Sequence, residues 1–196
     1  MAALAALCCL AVVALVAWIT TRPGPPVREL LRSELDLREG VLFARGEAVP
    51  FTGVLIERYS ADKPKLAIEV KKGKAHGISR GWYDNGQLEV EETFVAGVSH
   101  GPRTRWHLNG KKKSEVQIEQ GQLAGICTEW HENGQMAVQM KMAKGKPDGM
   151  VEAWHPSGEL KSRTHFANGE MGKQEFLPAD VEVTDGPAGE GAEKQK

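Results

Sequence analysis

Glycine recurs through most of this chain with a step of 24 residues. Gly77, Gly101, Gly125 and Gly149 form one column, and Gly86, Gly110, Gly134 and Gly158 form a second. Trp82, Trp106, Trp130 and Trp154 keep the same step, as do Gly73, Gly97, Gly121, Gly145 and Gly169. A helix is disfavoured over this region, because each interior glycine costs a helix roughly 1 kcal/mol. A fixed period of this length is the signature of stacked supersecondary units. Five copies fit between Gly53 and Phe176, the first of them degenerate.

Each unit reads as two strands and two turns. Asn85-Gly86, Asn109-Gly110 and Asn133-Gly134 are hairpin dipeptides, with Ser157-Gly158 in the fourth position. Asn and Gly both tolerate positive φ, so a tight two-residue turn is expected there. The return turn runs Gly-x-x-x-Gly, as in Gly73 to Gly77. Alternation assigns Ile126, Trp130, Met136, Val138, Met140 and Met142 to one apolar face, and Cys127, Glu129, His131 and Gln135 to the other. Glu92 and Lys112 interrupt the apolar face. The expected fold is all-β: a single elongated antiparallel meander of 24-residue β-hairpin repeats, preceded by an N-terminal transmembrane helix.

That helix is expected from Ala2 to Ile19, an unbroken apolar run of bilayer-spanning length. Residues 1–21 are therefore assigned to an N-terminal transmembrane anchor or signal segment. The chain is then expected at the membrane as a single-pass protein, or secreted or periplasmic after signal cleavage. The side of the membrane stays open. Residues 22–40 form a linker, in which Val27, Leu30, Leu31 and Leu35 share one helical face. This predicts a short amphipathic helix over Val27 to Leu37 that serves as linker or as cap for the sheet. Residues 41–177 hold the repeat array, and residues 178–196, rich in Gly, Pro, Glu and Ala, are expected to be disordered.

A formal net charge of −1 gives no strong field for nucleic acid, and none is expected as a partner. The three cysteines make neither a disulfide framework nor a zinc ribbon. Equivalent positions in successive hairpins lie two strands apart, roughly 9.5 Å. The Trp column is therefore read as core rather than as a stacking platform. His107, His131 and His155, in register with Tyr83, are too far apart at that spacing to share a metal, and read as a solvated polar stripe with candidate binding capacity. Cys127 and His131 would lie about 13 Å apart on a strand, too far for a nucleophile and its base. Lys111, Lys112 and Lys113 read as a solvated edge with a candidate contact to anionic lipid. Neither a catalytic set nor a metal or cofactor motif emerges, so no enzyme is expected.

Gly-Trp-Tyr-Asp-Asn-Gly-Gln-Leu at 81–88, Trp-His-Glu-Asn-Gly-Gln-Met at 130–136, Pro-Phe-Thr-Gly at 50–53 and Gly-Lys-Ala-His-Gly at 73–77 resemble the MORN-repeat variant family. The bacterial members so resembled are the YwqK-like antitoxin-component repeat proteins. The resemblance implies a scaffold beside enzymes or membranes, and supplies no catalytic residues. The expected function is a non-catalytic, membrane-tethered β-repeat scaffold that binds an unidentified protein. Alternatives are an antitoxin-like inhibitor of a toxin and a lipid-headgroup or glycan binding module.

Overall fold

The computed structural model describes residues 27–176; the expected anchor and the C-terminal tail lie outside the described residues. Among the described residues, no helix is long and apolar enough to cross a membrane. Fourteen strands run from β1 (Glu29–Leu31), β2 (Leu35–Arg38) and β3 (Val41–Ala44) into the array. The array comprises β4 (Gly53–Ser60), β5 (Lys63–Lys71), β6 (Lys74–Trp82), β7 (Leu88–Val95), β8 (Val98–Trp106), β9 (Lys112–Glu119), β10 (Gln122–Trp130), β11 (Met136–Ala143), β12 (Lys146–Trp154), β13 (Leu160–Ala167) and β14 (Glu170–Phe176). From β4 to β14 each strand pairs antiparallel with the next. The expected all-β meander is present.

Its first edge differs from a simple meander. The expected helix over Val27 to Leu37 does not form. Instead β1 adds in parallel to β4, with Leu30 opposite Leu55, and a short 3-10 turn leads into β2. Four apolar positions at helical spacing also suit a short strand and a turn, and the unpaired edge of β4 decides between them. Strands β2 and β3 make a separate hairpin. Val41–Ala44 thus pairs with β2 and not with the array. The hairpin caps the sheet: Leu35, Ala44, Phe51, Leu55 and Val70 form one buried cluster, with Leu30, Leu42 and Ile68 packed against it. The cap role assigned to this segment is filled by strands.

The two kinds of turn are distributed opposite to expectation. The tight two-residue turns are Lys72-Gly73, Ala96-Gly97, Gln120-Gly121, Lys144-Gly145 and Asn168-Gly169, where both residues have positive φ. At the Asn-Gly edge only the glycine has positive φ. There Gly86 N–H donates to Tyr83 O (2.9 Å) and Tyr83 N–H donates to Gln87 O (2.9 Å), closing a three-residue loop. Three-residue loops of this kind end in a glycine bulge and put the asparagine before it in ordinary right-handed space.

Asparagine is selected there for its side chain. Asn109 Oδ1 accepts from Lys111 N–H (3.0 Å), and its Nδ2 donates to Glu132 O in the next unit (2.8 Å). Asn85 and Asn133 repeat both bonds. Asn109→Asp should keep the first bond and lose the second, and Asn109→Ala should lose both. Thermal unfolding is expected to rank them with costs of about 1 and about 2 kcal/mol. Equal costs would show that the bond within the loop contributes nothing.

Gly77, Gly101, Gly125 and Gly149 do not close turns. Each stands with positive φ inside an even-numbered strand, where three residues oppose one on the preceding strand. These are large bulges, and glycine relieves the backbone strain they impose. Pro102 sits beside one of them, within β8 and not at a turn edge, where the interrupted ladder frees it from donating.

Candidate interaction surface

Directly opposed residues share a face, so the register fixes which side chains form each surface. Cys127 opposes Met140, and Gly125 opposes Met142. Val116, Ile118, Cys127 and Met142 form the second buried cluster, with Leu123 and Met140 packed against it. Cys127 therefore lies with the methionines, and Ile126 lies on the opposite face, 54% exposed. This reverses the expected assignment. The register slips by one residue between Glu129 and Trp130, and a one-residue slip exchanges the faces of everything beyond it. Burial, then the Glu129 carboxylate, pushes the Cys127 thiol up, which suits packing rather than nucleophilic chemistry.

The interruptions of the apolar face are answered locally. Glu92 opposes Arg103, pairs with its guanidinium, and accepts from Ser99 Oγ. Lys112 places its ammonium 5.8 Å from the Trp130 ring centroid and 2.8 Å from Glu115.

The Tyr/His column is not a solvated stripe. Tyr59 and Tyr83 hydroxyls donate to the carbonyls of Trp82 (3.1 Å) and Trp106 (2.9 Å). His107 Nε2 lies 2.8 Å from Trp130 O, and His131 Nε2 lies 3.0 Å from Trp154 O. A carbonyl only accepts, so each imidazole donates from Nε2. Every bond spans 23 residues and ties one unit to the next. His155 stands in the same column at the last such loop. Burial raises the Tyr83 phenol, Glu89 adds to that shift and Arg105 opposes it, so Tyr83 remains a donor.

The four tryptophans Trp82, Trp106, Trp130 and Trp154 are half-buried, and none belongs to either buried cluster. The expected core column is instead a flank beside the Asn-Gly loops. Trp82 and Trp106 border a groove of about 320 Å³ with Tyr59, Arg105 and Lys113. Lys111 donates to Asn133 O (2.7 Å), so only Lys113 of the lysine run faces that groove. Among the described residues, no three His, Cys, Asp or Glu side chains converge to hold a metal.

Two features were missed from sequence. A concavity of about 800 Å³ lies beside the cap, where Arg32, Arg45 and Arg58 each donate to a backbone carbonyl over the apolar floor of Leu31, Leu35 and Ile56. Its arginines come from segments far apart in the chain, so no motif marks it. The second is a row of apolar side chains on the face opposite the clusters. Ile78, Pro102, Ile126 and Met150 each follow a bulge glycine, one per unit, with Met150 49% exposed. Thr93, Gln117, Lys141 and His165 oppose them. The 24-residue step of these four positions was visible in the sequence, but their face was not.

A search of curated proteins gave no match to this chain. Hairpins β6–β7, β10–β11 and β12–β13 are the parts that carry the family likeness: residues 75–96, 123–142 and 147–168 match the family model described as MORN repeat variant.

Proposed function

We propose that this chain is a non-catalytic scaffold that presents its repeat sheet to a protein partner, tethered to a membrane through the apolar run at residues 1–21. The observation that carries this reading is the row Ile78, Pro102, Ile126 and Met150. Pro102, Ile126 and Met150 are exposed apolar side chains repeated once per unit on the face away from the buried clusters, and such a row, interleaved with Gln117, Lys141 and His165, suits a contact surface. Successive members stand roughly 9.5 Å apart, so the row reaches about 28 Å along the sheet. That length suits an elongated macromolecular partner better than a small molecule. MORN repeats are associated with protein or membrane binding in general, which supports the class of function. The resemblance to antitoxin components makes a toxin one partner of that class.

The test is Ile126→Thr combined with Met150→Thr. Both side chains already face solvent, so the thermal unfolding midpoint should stay within the spread of exposed substitutions. Proteins cross-linked to the wild-type chain in its own cells should be lost from the variant. An unchanged set of cross-linked proteins would rule out this face as the binding surface.

A further inference from the structure

We infer that β14 is the docking edge for a second copy of this chain, joined antiparallel about a two-fold axis through Gln174. The two ends of the 12-stranded sheet are built differently. At the first end the short β1 covers β4 and the chain then turns away into the cap. At the other end β14 is seven residues long and exposed at every position. Natural edges are guarded by bulges that break the flat row of backbone donors and acceptors. Strands β6, β8, β10 and β12 each carry such a bulge at the column glycine. In β14 that position is Lys173. Here two residues, Gly172 and Lys173, oppose one on the neighbouring strand, where the others have three opposing one. Gly172 lacks positive φ. The device that interrupts the earlier strands is thus reduced at the strand left on the edge.

The sequence of β14 is self-complementary in one register. In an antiparallel pair related by a two-fold axis, one residue opposes itself and its neighbours oppose each other in reverse order. An axis at Lys173 or at Glu175 sets like charges on each other, which destabilises a strand pair. An axis at Gln174 sets Lys173 against Glu175 twice and Gly172 against Phe176 twice. Within one strand Lys173 and Glu175 already lie 3.0 Å apart on a common face, so the two copies would form a four-charge cluster of alternating sign. On the other face Phe176, 70% exposed in the single chain, would lie over the bare backbone of Gly172. Phe176 opposes Ser162 and Gln174 opposes Thr164, so the paired phenylalanines extend the face that carries the buried clusters. Lys173, which alone reads as an edge guard, becomes the residue that selects the register.

The experiment uses the full chain in detergent with Cys8→Ser and Cys9→Ser as background. Directly opposed residues stand about 5 Å apart at Cα, within disulfide reach. On mild oxidation Gln174→Cys should give a covalent dimer. Lys173→Cys and Glu175→Cys should each stay monomeric alone and should cross-link when mixed. In sedimentation, Lys173→Glu should shift the dimer to monomer, and Lys173→Glu with Glu175→Lys should restore it. Equal cross-linking at the three positions, or a monomer at all concentrations, would overturn the assignment. So would protection of the β14 amides that vanishes on removal of residues 177–196, because the chain's own tail would then hold the edge.

Discussion

Gly73→Ala is expected to lower the free energy of unfolding by about 3 kcal/mol. Gly73 has φ +75° and sits in the tight turn between β5 and β6, where the cap hairpin docks. Its N–H donates to Phe51 O (2.7 Å), and its carbonyl accepts from Leu42 N–H (2.9 Å). A Cβ at this position would stand 2.8 Å from Leu42 O and 3.0 Å from Leu42 N. Those atoms are backbone, so relief requires the whole cap to move. The left-handed conformation and the overpacking each contribute about 1–2 kcal/mol. Gly86→Ala is the control. It has φ +86° with nothing within 4 Å of its added Cβ, so it should cost only about 1 kcal/mol. Urea unfolding of both variants, with amide exchange at Leu42, separates the two contributions. Equal costs would show that the clash is absent.

Glu92→Leu is expected to cost about 2 kcal/mol, and adding Arg103→Met should recover most of it. Glu92 lies on the face of the buried clusters, between the one under the cap and the one spanning β9 to β11. It accepts from both Ser99 and Arg103. With Glu92 removed, the Arg103 guanidinium keeps its charge on an apolar face with no counterion opposite. The usual cost of such a break is discounted here, because the Arg103 side chain is 27% exposed. Replacing both residues removes the charge pair and also the Arg103 Nε, which is buried without a partner. The face between the two clusters then becomes continuously apolar. A double-mutant cycle read by thermal unfolding measures this coupling. A neutral Glu92→Leu would mean that the pair is too wet to matter.

The repeat period carried the strand order, the edge at which each turn lies and the length of the array, because glycine spacing is a backbone property that survives variation of side chains. Turn type was not legible in the same way. Asn-Gly serves both the two-residue turn and the three-residue loop with a glycine bulge, and only the number of residues between the last ladder bonds distinguishes them. The faces of Ile126 and Cys127 were exchanged because one slipped residue at Trp130 is invisible in a pattern of alternation. The segment after Val27 has helical spacing, and the edge of β4 that makes it a strand is distant in sequence. The histidine column was visible as a column, yet its acceptors are main-chain carbonyls. Every residue has one, so no sequence marks which will be used. The apolar row at Ile126 and Met150 became recognisable as a surface only once the bulges had fixed its face.

The tyrosine, histidine and asparagine bonds that join successive hairpins at the Asn-Gly edge run forward by the same 23 residues, whichever side chain donates. The chain is therefore a ruler with interchangeable graduations. Excising or duplicating one internal hairpin of 24 residues would leave each remaining seam chemically like its neighbours, and would change the reach of the sheet by a single step of roughly 9.5 Å. Losing one residue inside a strand would instead break the seam on both sides and turn the following surface over. Length in such a molecule can be selected in whole units without rebuilding the fold, so the spacing between whatever is held at its two ends can be tuned independently of its stability.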